Sequence, residues 1–235
     1  YDYAKLRREV MSILERTRYA TLSKRQLGLW EMEQETEVSF TATADEYLRL
    51  WFAPQALREL LTYRYWIEHG GYEYTDLLKI ILSRSARSAR LTTHFDLDFP
   101  KKPQTEPYYC YKHSRICKPT VEAFKFLQRY SLDTNRRIRE FAAVRTDARV
   151  VVIHGDSREA EFHPIHGVIT SPPYLGLIDY HKQHAYAYHL LGLEDRHEGE
   201  IGAATNGKGL KAQEEYKAQI AEVFRRAAQA MPTGG

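Results

Sequence analysis

Residues 169–180, ITSPPYLGLIDY, hold the groups in this sequence that fit one defined chemistry best. Ser171 offers a hydroxyl oxygen. The carbonyl of Pro172 offers a second acceptor, because a Pro-Pro step has no N–H for a strand ladder and fixed φ angles. Two acceptors at the hydrogens of an aromatic amine favour a more tetrahedral nitrogen with a free lone pair. Since Tyr174 adds a ring face for stacking, the run predicts a site that holds a flat aromatic amine and raises its nucleophilicity.

Two β-branched runs are expected to position these groups. The first, RVVVIHGD at 149–156, ends in Gly-Asp, and the second, HGVITSPP at 166–173, ends in the proline pair. Helical patterns follow the second run, at 181–193 and 210–231. Strands that alternate with helices predict a parallel α/β sheet, whose ligands bind beyond the carboxyl ends of the strands. Asp156 and Ser171 both stand at such ends.

In this context Thr170-Ser171-Pro172-Pro173-Tyr174 resembles the catalytic signature of the amino-methylating DNA methyltransferases. Members of that family carry Asp, Asn or Ser before Pro-Pro-Tyr, and the Ser form is typical of cytosine-N4 methylases. The likeness extends over residues 148–193. It implies a Rossmann-like sheet, S-adenosyl-L-methionine as cofactor, and methylation of the N4 amine of cytosine within a specific sequence of double-stranded DNA by base flipping. It assigns catalysis to Ser171, Pro172, Pro173 and Tyr174.

The same resemblance implies a set of cofactor-binding residues. In the family an acidic residue after the earlier strand contacts the cofactor, and Asp156 matches that position, with Ser157 beside it. Thr170 and Ser171 complete the expected set. Two structural alternatives stay open, because the proline pair suits a rigid turn with a core tyrosine, and Gly-Asp-Ser suits a turn or a helix N-cap. Adenine-N6 methylation and a non-catalytic nucleic-acid-binding module are the alternative functions.

The chain is expected to contain two regions. Residues 1–147 are predicted to be mainly helical, and residues 148–235 to form a partial α/β methyltransferase domain. The helices are predicted around residues 6–14, 54–70, 74–90, 119–130 and 133–144, with a long irregular loop at 92–119. No run approaches the length of a membrane helix and no signal-peptide pattern opens the chain, so a location in the prokaryotic cytosol, close to the nucleoid, is expected.

A basic segment at 79–149 predicts contact with DNA. It holds 16 Lys and Arg against 7 Asp and Glu, whereas the remainder of the chain holds 18 against 24. The alternative is a solvated helical surface. The predicted DNA contacts are Arg84, Arg87 and Arg90 on one helix face, Lys101, Lys102, Lys112, His113 and Arg115 in the loop, and His181 and His184 after the signature.

No metal site is expected. Cys110, His113 and Cys117 offer three potential zinc ligands with His94 upstream, but the tightly paired spacing of structural zinc sites is missing. Two free thiols in a reducing compartment are predicted instead.

The glycine pattern leads to one further expectation. Methyltransferases of this kind need a glycine-rich turn after a strand, where the backbone approaches the cofactor, and none of the 13 glycines forms such a turn after a β-branched run. We therefore expect the chain to be part of a longer protein or one half of a split enzyme. Its partner segment or second subunit would supply the cofactor loop, and the isolated chain would bind S-adenosylmethionine poorly.

Overall fold

The computed structural model describes residues 2–21, 45–94 and 101–232 of the chain. These residues divide into two compact units. Unit 1 consists of the described residues up to Thr146 together with Tyr186–Leu193. Unit 2 consists of Asp147–Ala185 and the described residues from Glu194 onward.

The described part of the chain is mainly helical, with one small sheet. In chain order its elements are α1 (Tyr3–Thr21), α2 (Glu46–Trp51), α3 (Pro54–His69), α4 (Thr75–Ala89), β1 (Tyr108–Cys110), β2 (Arg115–Cys117), α5 (Phe124–Val144), α6 (Tyr180–Gln183), α7 (Ala185–Leu191) and α8 (Leu210–Gln229). Short 3₁₀ turns occur at His197–Gly199 and Ala204–Asn206. No helix in the described ranges combines the length and the apolar character that a membrane span requires.

Unit 1 is built around one hydrophobic core between α1, α3, α4 and α5. Apolar residues recur every three or four positions on each helix, so each helix turns one stripe toward the core. Leu6, Val10 and Ile13 of α1 are fully buried in this way. Helix α3 begins at Pro54, where the missing N–H costs no hydrogen bond, and ends before Gly70, as predicted.

Helix α7 adds to the same core through Tyr186 and Leu190. Its His189 ring stacks on Tyr47 with centroids 4.4 Å apart, and Nδ1 of His189 lies 2.8 Å from the Asp45 carboxylate. Asp45 also caps α2 by accepting from the Leu48 amide at 2.9 Å. These contacts explain why Tyr186–Leu193 belongs to unit 1, although the sequence predicted one continuous helix over 181–193.

Two predictions for the middle of the chain are wrong. The expected irregular loop contains an antiparallel hairpin, in which β1 pairs with β2 through Tyr109 opposite Ile116. The two helices expected at 119–130 and 133–144 form a single helix, α5. The buried face of α5 carries polar residues, among them Ser131 and Asn135, and these interrupt the apolar period that a helix otherwise shows.

The parallel sheet expected in unit 2 is not confirmed. Residues 149–156 and 166–173 form no strand, and their apolar side chains are exposed: Val152 is 87% accessible and Ile169 fully so. A β-strand needs a neighbour for its backbone N–H and C=O groups, and the described residues of unit 2 contain no strand to pair with. The observed regular structure of unit 2 is helical, and a Rossmann-like sheet stays a prediction.

Candidate active site

The Ser-Pro-Pro-Tyr run lies on the surface of unit 2. Ser171 and Pro172 are exposed, Pro173 is half-buried, and the Tyr174 ring is 57% accessible. Tyr174 is therefore not the core aromatic that the structural alternative required. A ligand can therefore reach the Ser171 hydroxyl, Pro172 and the Tyr174 ring.

Long-range contacts hold the end of the Ser-Pro-Pro-Tyr run and the residues that follow it. The Tyr216 hydroxyl of α8 donates to the Pro173 carbonyl at 2.8 Å. The Gly176 amide donates to the Gly202 carbonyl at 2.9 Å, and the Ala204 amide donates to the Ile178 carbonyl at 3.1 Å. The segment from Pro173 to Ile178, called the anchor segment below, is thus fixed at three points to the residues after position 200.

One of these contacts joins two residues that must be glycine, Gly176 and Gly202. Gly202 has φ +71°, and a Cβ there would come within 2.8 Å of the Tyr216 ring. Gly176 has φ +63°, and a Cβ there would come within 2.8 Å of the Gly207 carbonyl. An L-residue would be strained by the backbone angle and by the close approach together. These glycines let the anchor segment pack against the chain beyond it.

The N-terminus of α6 is held by two carboxylates. Glu200 accepts from the amides of Tyr180 at 2.7 Å and His181 at 3.2 Å, and Asp179 caps the helix through the Lys182 amide at 2.8 Å. The His181 ring lies 3.0 Å from Asp195, and its side chain is only 14% exposed. Of the two histidines after the signature that were predicted to contact DNA, only His184 is exposed.

Asp156 lies at an exposed turn and is bound by a neighbouring arginine. The Arg158 amide donates to Oδ1 at 2.8 Å, Nε of Arg158 lies 2.9 Å from the same oxygen, and the guanidinium also pairs with Oδ2. This guanidinium holds the pKa of the Asp156 carboxyl below its usual range. Asp156 is therefore an ionised acceptor, with the exposed Ser157 next to it in sequence.

The predicted arginine stripe on α4 needs a correction. Arg90 is only 1% exposed, and its guanidinium lies 4.5 Å from the Tyr186 ring centroid inside unit 1. Arg84 is half-buried and donates to Asp133 at 2.6 Å and to Thr134 at 3.2 Å. Because Arg90 follows the last residue of α4 and turns inward, it does not form an exposed stripe with Arg84 and Arg87.

The structure instead forms an open basic groove along α5, which Arg84 of α4 completes. The groove is lined by Arg84, Lys125, Gln128, Arg129, Tyr130, Leu132, Asp133, Arg136 and Arg137. Asp133 is the one acidic residue among them, and its pKa is held well below the usual range by the hydrogen bond from Arg84. Lys125 and Arg129 are exposed. Residue counts along the chain predicted a basic segment but not this groove, which depends on two helices packing side by side.

The predicted loop cations lie outside the groove. Lys101, Lys102, Lys112 and Arg115 are exposed; Lys112 lies in the turn of the β1–β2 hairpin and Arg115 begins β2. His113 occupies the same turn, and its Nδ1 lies 3.6 Å from Cys110 Sγ and 3.5 Å from Cys117 Sγ. His113 is therefore engaged with the two thiols of the hairpin.

Comparison with known proteins gives one informative match. No family model matches the chain, and no solved structure matches it. The chain is 44% identical over 195 residues to a protein named type II methyltransferase M.MjaII, from Methanocaldococcus jannaschii. The match covers 76% of this chain and 37% of that relative. The chain therefore spans little more than a third of the length of the relative it matches.

Proposed function

We propose that this chain is part of a DNA methyltransferase that transfers a methyl group to the N4 amine of cytosine in a specific sequence. The observation that carries the proposal is the 44% identity to a protein named a type II methyltransferase. The Ser-Pro-Pro-Tyr run, which has the residue type of the cytosine-N4 methylases at its first position, supports the choice of amine. The name of the relative also supports a role in restriction and modification.

The site acts by holding the amine of a flipped base. The Ser171 hydroxyl oxygen accepts one amine hydrogen and the Pro172 carbonyl accepts the other, which makes the nitrogen lone pair available. Tyr174 stacks on the ring of the base, for which its exposed face is suited. Ser171 and Pro172 are consecutive, and the proline rings at 172 and 173 restrict the backbone there. The two acceptors therefore bind the amine in one geometry.

The cofactor proposed for this site is S-adenosyl-L-methionine, which supplies an electrophilic methyl group on a sulfonium centre when bound. Asp156, Ser157, Thr170 and Ser171 are proposed to hold it. Their residue types fit, because an ionised carboxylate and hydroxyl groups are acceptors for the amine and hydroxyl hydrogens of an adenosyl group. Ser157, Thr170 and Ser171 are exposed, whereas the Asp156 carboxylate is paired with Arg158.

The exposed β-branched runs support a proposal about the fold. Residues such as Val150, Val152 and Ile169 are exposed, although β-branched runs have the composition of buried strands. We propose that both runs pair with strands from outside the described residues, in further segments or in a second subunit, to form a Rossmann-like sheet. That sheet would place Asp156 and Ser171 at one edge.

Double-stranded DNA is the proposed partner, and the basic groove together with the hairpin cations is its proposed surface. The groove carries five basic residues against one acidic residue, and phosphate binding is favoured by such a surplus. Arg90 is omitted from this surface because it is buried.

The direct test is nucleoside mass spectrometry on DNA from a methylation-deficient host that expresses the full-length gene to which this chain belongs. The expected product is N4-methylcytosine. N6-methyladenine in its place would assign the site to adenine, and unmodified DNA from cells with abundant soluble protein would favour the non-catalytic binding module.

Tyr216→Phe is expected to lower kcat about ten-fold with little change in KM for DNA. The variant loses the hydroxyl that donates to Pro173, so the acceptors just before Pro173 are positioned less well, and small misplacements are costly in catalysis. Steady-state kinetics on a duplex substrate provide the measurement. Tyr19→Phe, at an exposed position of α1, is the matched control. An unchanged kcat in Tyr216→Phe would show that the hydrogen bond does not position the site.

The double variant Lys125→Ala/Arg129→Ala is expected to weaken DNA binding and its dependence on salt. Each lost phosphate contact lowers the slope of log K against log salt by about 0.9, so two contacts lower it by about 2. Fluorescence anisotropy at a series of salt concentrations measures the slope. Lys211→Ala is the control, because Lys211 is 91% exposed and belongs to α8 of unit 2, whereas the residues that line the groove belong to unit 1. Equal slopes for the double variant and the control would remove the groove from the DNA surface.

A further inference from the structure

Four potential metal ligands converge in unit 1 beside the β1–β2 hairpin. They are His94, Cys110, His113 and Cys117, and their ligand atoms all lie within 4.8 Å of one another. His94 precedes the hairpin by 14 residues and Cys110 ends β1. His113 lies in the turn and Cys117 ends β2. The sequence shows His94 upstream of the other three, but the tightly paired spacing of structural zinc sites is missing, and for that reason no metal site was predicted.

The distances between the cysteine sulfurs and the histidine nitrogens agree with tetrahedral coordination of a shared metal ion. Cys110 Sγ lies 3.6 Å from His94 Nδ1 and 3.6 Å from His113 Nδ1, and Cys117 Sγ lies 3.5 Å from His113 Nδ1. Zinc–sulfur and zinc–nitrogen bonds of about 2.3 and 2.05 Å at a tetrahedral angle place sulfur and nitrogen about 3.6 Å apart. Three sulfur–nitrogen edges of a tetrahedron are therefore already present.

The local structure gives a second reason. Cys110 and Cys117 are only 2% and 7% exposed, yet neither belongs to the main cluster of buried apolar residues described for unit 1. The hairpin has strands of only three residues each, and so short a pair is marginal without further support. A metal held by both strands, the turn and the preceding segment would supply that support, as in small metal-stabilised domains.

We propose that His94, Cys110, His113 and Cys117 bind one structural zinc ion. Two thiolates and two imidazoles form a closed four-ligand set of the kind that structural zinc prefers, and it leaves no position for a substrate. On binding, both thiols release their protons to solvent, and each imidazole binds through a neutral nitrogen. The Tyr108 hydroxyl accepts from the His94 amide at 2.9 Å and lies 3.0 Å from His94 Nδ1, so zinc binding through Nδ1 replaces this second contact while the first still positions the residue.

The proposed zinc site makes His113 a metal ligand, whereas the sequence predicted it to contact DNA. A metal-bound His113 does not contact DNA, whereas Lys112 and Arg115 remain exposed on either side of it. The inference itself does not depend on the proposed function, since a structural zinc is a property of the hairpin whether or not the protein transfers methyl groups.

The test is the metal content of the whole chain, purified under reducing conditions without chelators. Mass spectrometry of the metal is expected to find about one zinc per chain, consistent with a single closed site. The cobalt-substituted protein is expected to show a thiolate-to-cobalt charge-transfer band and the intense visible bands of a tetrahedral site. Cys110→Ser, Cys117→Ser and His94→Ala are each expected to lose most of the zinc.

The control is His69→Ala, which removes an exposed histidine of unit 1 and should keep the full zinc content. Far-ultraviolet circular dichroism separates loss of zinc from loss of the helices. Wild-type protein with free thiols and neither zinc nor a tetrahedral cobalt spectrum would overturn the proposal. So would a Cys110–Cys117 disulfide in the protein isolated from the cytosol, or zinc that the Cys110→Ser and Cys117→Ser variants retain.

Discussion

Ser171→Ala is expected to lower the rate of methyl transfer at least 100-fold while leaving the fold intact. The substitution removes one of the two acceptors proposed to bind the target amine, and loss of one well-placed polar group in a catalytic site costs about 10²–10³ in rate. Because Ser171 is exposed, its replacement opens no cavity, and the free energy of unfolding should change by less than about 0.5 kcal/mol. Single-turnover transfer of labelled methyl groups to duplex DNA measures the effect on the chemical step.

A conservative variant separates catalysis from simple disturbance of the loop. Ser171→Asn keeps a side-chain acceptor at this position, so it is expected to retain more activity than Ser171→Ala. Thr105→Ala, at an exposed position of unit 1, is the control for loss of a hydroxyl. A wild-type rate in Ser171→Ala would contradict the role of the hydroxyl, whatever product the nucleoside analysis finds.

Glu59→Leu is expected to destabilise unit 1 by about 3 kcal/mol. Glu59 lies on α3 with 4% exposure, and its Oε2 accepts from the Ala123 amide at 2.6 Å and from the Phe124 amide at 2.7 Å. Helix α5 begins at Phe124 without a side-chain cap from its own N-cap residue, so Glu59 caps it from another helix. Its loss leaves two amides unsatisfied, each at a cost of about 1–3 kcal/mol.

Urea unfolding followed by tryptophan fluorescence measures this stability, because Trp51 and Trp66 lie in α2 and α3 of unit 1 and no tryptophan follows them in the sequence. Glu59→Gln keeps a neutral acceptor and should lose less stability than Glu59→Leu. Glu15→Leu, at an exposed position of α1, is the matched control and is expected to stay within about 0.5 kcal/mol of wild type. If Glu59→Leu unfolds at the same urea concentration as that control, the capping role is wrong.

Helices with complete local signals could be predicted from the sequence. Helix α3 runs from Pro54 to the residue before Gly70, and α4 and α8 occupy the expected segments. Their apolar period and end residues are local properties, since each turn depends on residues three or four positions away. The same locality explains the error in α5, where inward polar residues such as Ser131 broke the period although the helix continues.

The strands could not be predicted in the same way. The β-branched runs at 149–156 and 166–173 have strand composition, but a strand exists only when another backbone completes its hydrogen bonds. The three-residue strands of the hairpin, in contrast, lie in a loop rich in proline and escaped prediction. Composition describes what a segment prefers, whereas pairing depends on what lies beside it.

By itself, the sequence determined the features that consecutive residues carry: the helical periods, the basic segment and the Ser171–Tyr174 run with its two acceptors and ring. The tertiary structure decided which distant groups meet. It placed Tyr216 on the Pro173 carbonyl, turned Arg90 inward and brought His94 to the two thiols. Such contacts depend on the packing of whole elements, which sets burial and distance between residues far apart in the chain, and no local pattern of residue types encodes them.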